Sequence, residues 1–462
     1  MLFCSEIFLF LFLPAVLLGY YALKPAGIKA QNMLLLLGSI FFYGWGEPKF
    51  VYVMLASILL NYLFGLFMSM SESKPVRRVF LAASIVVNIS LLFVYKYLDF
   101  AVENVNALFR TNLPLKNIAL PIGISFFTFQ AMSYVIDVYR GKEKVQKNLF
   151  DLALYISFFP QLIAGPIVRY ETIAAQIRER TESIDMFYDG ICRFIMGLAK
   201  KVMLANTLAL VSDAAFNMDA SLLSTPMAWL GALAYTLMIY YDFSGYSDMA
   251  IGLGKMFGFT FEENFNYPYI SKSITEFWRR WHISMGTWFR DYLYFPLGGS
   301  RSKTAARRIF NLFVVWLATG IWHGANWTFI AWGLFFFVLL MLEKNIGFLQ
   351  KMPSAIRYIY TMFFVLCGWV LFRSETISGA FVYLKHMFVP YITGDGLAIM
   401  NIKEHGFGIL FGILFMTPYP RAFYRKANIP WPVTSVLYFA AFLLSVIYIV
   451  KGGYNVFIYF NF

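Results

Sequence analysis

Long apolar segments recur from one end of this chain to the other, and they constrain its fold more than any motif does. They fall at about 7–23, 31–46, 50–70, 79–98, 118–138, 151–168, 190–212, 227–251, 309–342, 356–373, 406–418 and 434–450. A helix needs roughly 20 apolar residues to cross the hydrocarbon core of a bilayer, where no water can satisfy free backbone groups. Several segments reach that length, and the shorter ones suit tilted, re-entrant or interfacial helices. The pattern predicts an all-α polytopic membrane protein with about ten to twelve membrane elements. Charged residues make up only 14% of the chain and mean hydropathy is +0.63, whereas a soluble domain is about a quarter charged. No polar stretch is long enough for a separate soluble domain, so residues 1–462 are expected to form one membrane domain. Within it we expect N-terminal helices at about 1–110, a core at about 118–345 and C-terminal helices at about 354–462.

Charge gives an orientation. The net charge is +13, and Lys24 with Lys29, then Lys74, Arg77 and Arg78, then Arg140, Lys142, Lys144 and Lys147 fall in alternate connections. The intervening 99–117 loop balances Asp99 and Glu103 against Arg110 and Lys116. The positive-inside rule puts the three basic loops in the cytoplasm and the N-terminus outside. The first apolar run lacks a basic n-region and continues past Pro14 to Leu23, so it reads as a retained span rather than a cleaved signal. No basic run is interleaved with exposed aromatics in a soluble module, which argues against nucleic acid as a partner. Cys4, Cys192 and Cys367 are isolated in apolar settings and show neither a disulfide framework nor metal spacing.

Polar residues inside apolar helices are the next signal. Asp242 and Asp248 lie in the apolar run 227–251; at helical spacing Asp242 shares a face with Gly245, Tyr246 and Met249, while Asp248 lies on the other side. An intramembrane carboxylate is either a functional group or a structural partner for a neighbouring helix or an arginine, and the sequence leaves both open. Gly252, Gly254 and Gly258 miss the dinucleotide-loop pattern and follow no strand, so they read as close helix packing.

Polar and aromatic residues concentrate between Phe261 and Gly333, which hold two of the four histidines. Ser273 and Glu276 fit a capping box that starts a helix near Ile274, and Pro296 with Gly298 and Gly299 limits it, so the helix is expected to run to about Tyr294. On such a helix Arg279, His282, Gly286 and Arg290 form one face. With Arg280 and Asp291 it is too charged to cross lipid alone, and it suits the interface or a protein-lined cavity. The basic stripe could hold the phosphates of an acyl donor; equally, its arginines could meet lipid headgroups. From Ile309 to Leu342 the apolar run is about 50 Å long as one helix, against a core of about 30 Å, so it must break. Thr319 to Asn326 is the expected break, with Gly320 and Gly324 allowing a bend or a close approach. It presents His323 beside Asn326, Trp322 and Trp327, where irregular backbone survives only if protein or a water-filled cavity satisfies it. A neutral imidazole there can take a proton from a hydroxyl attacking an acyl carbonyl, and Asn326 or a backbone N–H at the break could stabilise the oxyanion. The two histidines lie 41 positions apart without HExxH or a carboxylate at ligand spacing, which argues against metal. His386 and His405 are expected to have surface or packing roles. A transporter reading would use Asp242 and Asp248, but no inverted repeat or pair of broken helices supports it.

These residues carry a resemblance. YYDFSGYSDMAIGLG (240–254), ENFNYPYISKSITEFWRRWHISMGTWFRDYLYFPLGGSR (263–301) and GIWHGAN (320–326) resemble the membrane-bound O-acyltransferase (MBOAT) family, in its bacterial alginate O-acetylation branch. LPIGISFFTFQAMSYVIDVYRG (120–141), FFPQLIAGPIVR (158–169) and FIYF (457–460) extend the likeness over nearly the whole chain. The resemblance implies tilted helices around a central funnel, with His323 as the catalytic histidine and His282 as a second motif histidine. It implies acetyl-CoA as a cytoplasmic acyl-donor substrate, with no bound cofactor. The acetyl group would cross a bacterial inner or plasma membrane to an outer acceptor, often a separate SGNH-type acetyltransferase acting on an exopolysaccharide. Arg279, Arg280, Arg290, Trp322, Asn326 and Asp242 are the expected donor- or substrate-binding residues. D-alanyl transfer to teichoic acid and peptidoglycan O-acetylation are the alternatives on the same fold.

Overall fold

The computed structural model of the chain describes residues 1–347, 351–391 and 395–452, so the FIYF motif at 457–460 lies outside the described residues. Among the described residues every regular element is helical. Seven helices are long and apolar enough to cross a membrane, at 51–69, 74–109, 184–216, 327–345, 354–373, 396–415 and 431–450, and Phe8–Ala22 is a shorter apolar helix. Large apolar side chains such as Val79, Val86, Phe407, Val436 and Phe439 stand exposed on these helices, as a surface solvated by lipid requires. The chain is a multi-pass helical membrane protein. It divides into two compact units, Met1–Phe194 with Met249–Glu262, and Ile195–Asp248 with Glu263–Phe462.

The first unit is built on α1 (Leu13–Ala22), α2 (Ile28–Gly46), α3 (Val51–Ser69), α4 (Lys74–Leu92), α5 (Leu98–Phe109), α6 (Ile124–Arg140), α7 (Leu149–Ser157), α8 (Phe159–Leu162) and α9 (Tyr170–Arg178). Gly123 and Gly141 bracket α6 in left-handed conformations, where a residue without Cβ is unstrained. Every residue of α6 from Ile124 to Val138 is buried. The apolar run 151–168 is not one span: it turns at Phe158, whose ψ is 111°, just ahead of Pro160. Between α3 and α4, Asn61 and Asn88 donate to each other's side-chain oxygens at 3.1 and 2.8 Å. Each amide thereby satisfies the other where no water competes.

Two helices run across the boundary between the units along the sequence. They are α10 (Ile184–Ala199), which passes through a π-helical turn at Lys200–Ala205 into α11 (Asn206–Phe216), and the 32-residue α12 (Thr225–Met256). Glycines let them approach closely. In the first unit a Cβ on Gly252 would lie 2.6 Å from the Gly190 carbonyl oxygen, and in the second a Cβ on Gly245 would lie 2.8 Å from that of Gly197. Gly252 is thus a packing glycine, Gly254 makes room for the Phe261 ring, and Gly258 turns the chain at φ +79°.

The second unit continues with α13 (Ile274–Arg280), α14 (Ile283–Phe289), α15 (Ala305–His323), α16 (Trp327–Ile346), α17 (Ser354–Arg373), α18 (Ile377–Phe388), α19 (Asp395–Phe415), α20 (Tyr419–Lys426) and α21 (Trp431–Val450). The run 309–342 breaks as expected, after His323. Then α15 and α16 close into a tight hairpin, because a Cβ on Gly320 would lie 2.6 Å from the Phe329 carbonyl oxygen and one on Gly333 would lie 2.5 Å from that of Trp316. Aromatic side chains from α13 and the Trp281 that follows it, and from α15, α16 and α17, among them Phe277, Trp316, Trp332, Trp369 and Phe372, pack in one core cluster of this unit. Such rings fill a large volume with few rotatable bonds, and most pairs here meet edge to face or tilted.

Candidate active site

The segment from Ile274 is capped twice. Ser273 Oγ accepts from the Glu276 N–H at 2.9 Å, while Glu276 reaches back to the Lys272 N–H at 3.0 Å. Glu343, on α16, accepts from the N–H groups of Ile274 and Thr275 at 2.6 and 2.9 Å and from the Thr275 hydroxyl at 2.7 Å. A carboxylate on three donors at a helix N-terminus fixes where α13 begins.

The expected single helix to Tyr294 is not what forms. It breaks at Trp281–His282, and His282 adopts φ 45°, ψ 54°, a left-handed conformation that a residue with a Cβ adopts at a cost. The break is made by tertiary pairing that no helical spacing announces. The Arg280 carbonyl accepts from the Asn266 N–H at 2.9 Å, and the Ile283 N–H donates to the Asn264 carbonyl at 2.9 Å. The expected basic stripe is corrected with it, since the turn separates Arg279 from His282 and Arg290. Arg279 is exposed. Arg280 pairs with Glu276 at 2.9 Å and donates to the Asn266 carbonyl at 3.1 Å. Arg290 pairs with the adjacent Asp291 at 2.8 Å.

His282 is buried, at 1% exposure. Its Nδ1 lies 3.1 Å from Asn264 Oδ1, and the Phe243 ring of α12 meets its imidazole edge to face at 4.5 Å. Burial pushes its pKa down to about 3, so the imidazole is neutral at physiological pH. His323 is the last residue of α15 and is 8% exposed. Its ring touches Trp322, Trp332 and Phe372 at 5.1, 4.9 and 5.1 Å. Trp322 also lies 6.0 Å from His282, so one indole contacts both imidazoles, each placed at its own helix break.

The remaining expected residues have defined places. Asn326 caps α16: its Oδ1 accepts from the Thr328 N–H at 3.0 Å and its Nδ2 donates to the Glu375 carbonyl at 2.9 Å. Its side chain is therefore engaged on both ends. Asp242 forms an ion pair with Lys201, both side chains being buried, and Lys200 meets Asp248 at 2.6 Å. Helical spacing alone had not identified those lysines, although two adjacent cations inside the apolar run 190–212 were a signal for two acidic partners. Asn264 was also missed; its signal was a lone amide between Phe261 and Phe265, ahead of the break at Pro268. His386 packs against Tyr391 at 5.4 Å, and His405 lies 3.8 Å from Glu404. Among the described residues no group of three or more His, Cys, Asp or Glu side chains is gathered as a metal site.

Comparison with known proteins bears on this geometry. Residues 40–378 match the model of the membrane-bound O-acyltransferase family. The chain is 47% identical to the probable alginate O-acetylase AlgI of Pseudomonas syringae pv. tomato over 390 residues, covering 82% of this chain and 74% of the relative. To the probable alginate O-acetylase AlgI of Pseudomonas putida it is 40% identical, with 100% of both chains covered. To the peptidoglycan O-acetyltransferase of Helicobacter pylori it is 32% identical over 100% of this chain and 98% of the relative. Both helix breaks, and both buried histidines, fall inside the matched region. This chain belongs to the membrane-bound O-acyltransferase family and is an O-acyltransferase of the membrane.

Proposed function

We propose that the chain takes an acetyl group from acetyl-CoA on the cytoplasmic side and passes it across a bacterial cell membrane for O-acetylation of a polysaccharide outside. An SGNH-type acetyltransferase is the proposed partner that completes the transfer. The observation that carries this reading is the pair of buried imidazoles, His323 and His282, at two helix breaks with Trp322 in contact with both. The relatives, named for O-acetylation of alginate and of peptidoglycan, supply the acyl group and the acceptor class.

In this reading His323 accepts the proton of the attacking hydroxyl. The oxygen adds to the thioester carbonyl, the tetrahedral oxyanion collapses, the C–S bond breaks, and the thiolate leaves with the proton held by the imidazolium. Trp332 and Phe372 wall the imidazole and exclude water, which otherwise hydrolyses the thioester. The amide of Asn326 is committed to its cap and the Gly324 N–H donates to the Ile321 carbonyl at 3.2 Å, so the oxyanion donor in this reading is a backbone N–H of the turn just after Gly324. Exposed Arg279 is the cation left to meet donor phosphates. Asp242 has the structural role, holding Lys201. Peptidoglycan is the alternative acceptor, favoured by full-length similarity to the Helicobacter pylori enzyme.

The test uses purified protein in liposomes with radiolabelled acetyl-CoA, partner and glycan acceptor. Wild type should transfer label, and His323→Ala should lose about 100-fold or more while keeping its fold. Equal turnover in both removes His323 from the chemistry.

A further inference from the structure

We infer that Asn264 is a positioning residue which fixes His282 as the tautomer protonated on Nδ1, so that Nε2 presents a bare lone pair to the acyl-transfer site; this rests on the reading above. Two donors of fixed direction orient the Asn264 amide. The backbone N–H of Ser284 can only donate, and it points at Asn264 Oδ1 at 3.2 Å; the Ser284 hydroxyl donates to the same atom at 2.9 Å. The atom they meet is therefore the carbonyl oxygen, which fixes the orientation of the Asn264 amide. Its Nδ2 then points the other way and donates to Ser247 Oγ at 3.0 Å. Asn264 is fully buried and Ser247 nearly so, so the amide cannot turn over without losing this whole set of bonds.

An oxygen that only accepts now stands 3.1 Å from His282 Nδ1, so Nδ1 carries the hydrogen. In a neutral imidazole the other nitrogen is then unprotonated, because the partner of one ring nitrogen decides the state of the other. Nε2 is buried and has no hydrogen-bond partner among the described residues. A buried acceptor without a donor is costly, and functional sites are where such a group is kept. Two further features hold the imidazole in this pose. The Ile283 N–H donates to the Asn264 backbone carbonyl, so one residue sets both the left-handed turn and the ring. Phe243 covers the imidazole from α12, on the helix that also supplies Ser247. The outcome is a proton acceptor held ready for a hydroxyl or thiol, on a ring that shares the Trp322 indole with His323.

The experiment reads the tautomer directly. The full chain, ring-labelled with 15N-histidine and placed in lipid nanodiscs, has only four histidines to assign, and His282→Gln identifies the relevant signal. Wild type should show a protonated Nδ1 and an unprotonated Nε2. A protonated Nε2 there, or fast exchange between tautomers, overturns the proposal. This readout needs no turnover, so it stands apart from a failure of the acetyltransferase reading, which would appear as no transfer in wild type with donor, partner and acceptor supplied.

Kinetics then test the consequence. Asn264→Ala should lower kcat about tenfold to hundredfold, with donor KM within about threefold. Asn264→Asp keeps an acceptor at Nδ1 and should retain more turnover than Ala. Its charge favours the imidazolium, so the acidic limb of kcat should move to higher pH. Equal losses in Ala and Asp, with no change in pH profile, would make Asn264 merely structural and overturn the proposal. If the Ala variant fails to fold, the wild-type tautomer and the Asp profile still decide.

Discussion

At the scale of single residues, two kinds of buried polar group have to be told apart. His282 keeps one ring nitrogen without a hydrogen-bond partner among the described residues, whereas Asp242 of α12 is paired with Lys201 of the π-helical turn. A buried charge left alone costs far more than a matched pair removed together, and this asymmetry gives a clean test. Lys201→Met should destabilise the protein by about 3–5 kcal/mol, because it removes the cation paired with the buried Asp242 carboxylate. Lys201→Met with Asp242→Leu should recover most of that loss and keep acetyl transfer, both read as thermal unfolding and label transfer in the same preparation. A double variant that folds but cannot transfer would instead put Asp242 in the chemistry, the alternative that spacing alone left open. The pKa of His282 carries a further consequence. With its folded value depressed to about 3 below the ordinary value near 6.5, the neutral form persists through mild acid. Turnover that needs His282 neutral should therefore not fall on its account between about pH 8 and pH 5. An acidic limb near pH 6.5 that disappears in His282→Gln would contradict this.

At the scale of helices, the site depends on where each helix stops. Apolar length required a break in the 309–342 run, because a helix of the full run overshoots the bilayer, and Gly320 and Gly324 located it between Thr319 and Asn326. The glycines there divide the work: Gly320 lets the hairpin close, and Gly324 leaves room for the Phe329 ring, which a Cβ there would strike. Gly320→Ala should thus drive a methyl into the Phe329 backbone, costing about 1–3 kcal/mol and displacing His323 on the same last turn of α15. Gly396→Ala, with nothing within 4 Å of the new Cβ, is the matched control and should leave unfolding temperature and transfer unchanged. Equal behaviour of the two variants would show that the hairpin tolerates the insertion. The break at His282 was not legible in the same way. The capping box correctly set the start of α13 at Ser273, but the end comes from Asn264 and Asn266 pairing with the 280–284 backbone and with Ser284. Spacing along one segment contains no record of a second strand of chain laid beside it. For the same reason the lysines facing Asp242 and Asp248, and the Glu343 cap, came into view only once helices distant in sequence were brought together.

At the scale of the whole molecule, the function proposed requires one chain to serve both faces of a membrane, and the positive-inside rule predicts which face is which. The continuous helix 74–109 connects the basic stretch at Lys74, Arg77 and Arg78 to the balanced 99–117 loop. Its 36 residues extend about 54 Å, longer than a bilayer core of about 30 Å, and its far end carries Asp99 and Glu103, which belong beyond the hydrocarbon. Retaining the cations at one end fixes the direction in which the helix is threaded. The following apolar stretch, 118–138, must then return the chain to the side that holds Arg140, Lys142, Lys144 and Lys147 for the alternation to persist. Single cysteines at exposed Asn112 and Lys144, with Cys4, Cys192 and Cys367 replaced by serine, turn this into a measurement. In intact cells a membrane-impermeant maleimide should label Asn112→Cys and spare Lys144→Cys, which should label only after permeabilisation. Acetyl transfer by each labelled-site variant confirms that the threading measured is that of working protein. The opposite labelling would invert the chain, placing the 140–147 cations outside and removing the charge argument for a cytoplasmic donor, whereas labelling of both sites in intact cells would mean that the 118–138 stretch does not return the chain across the membrane.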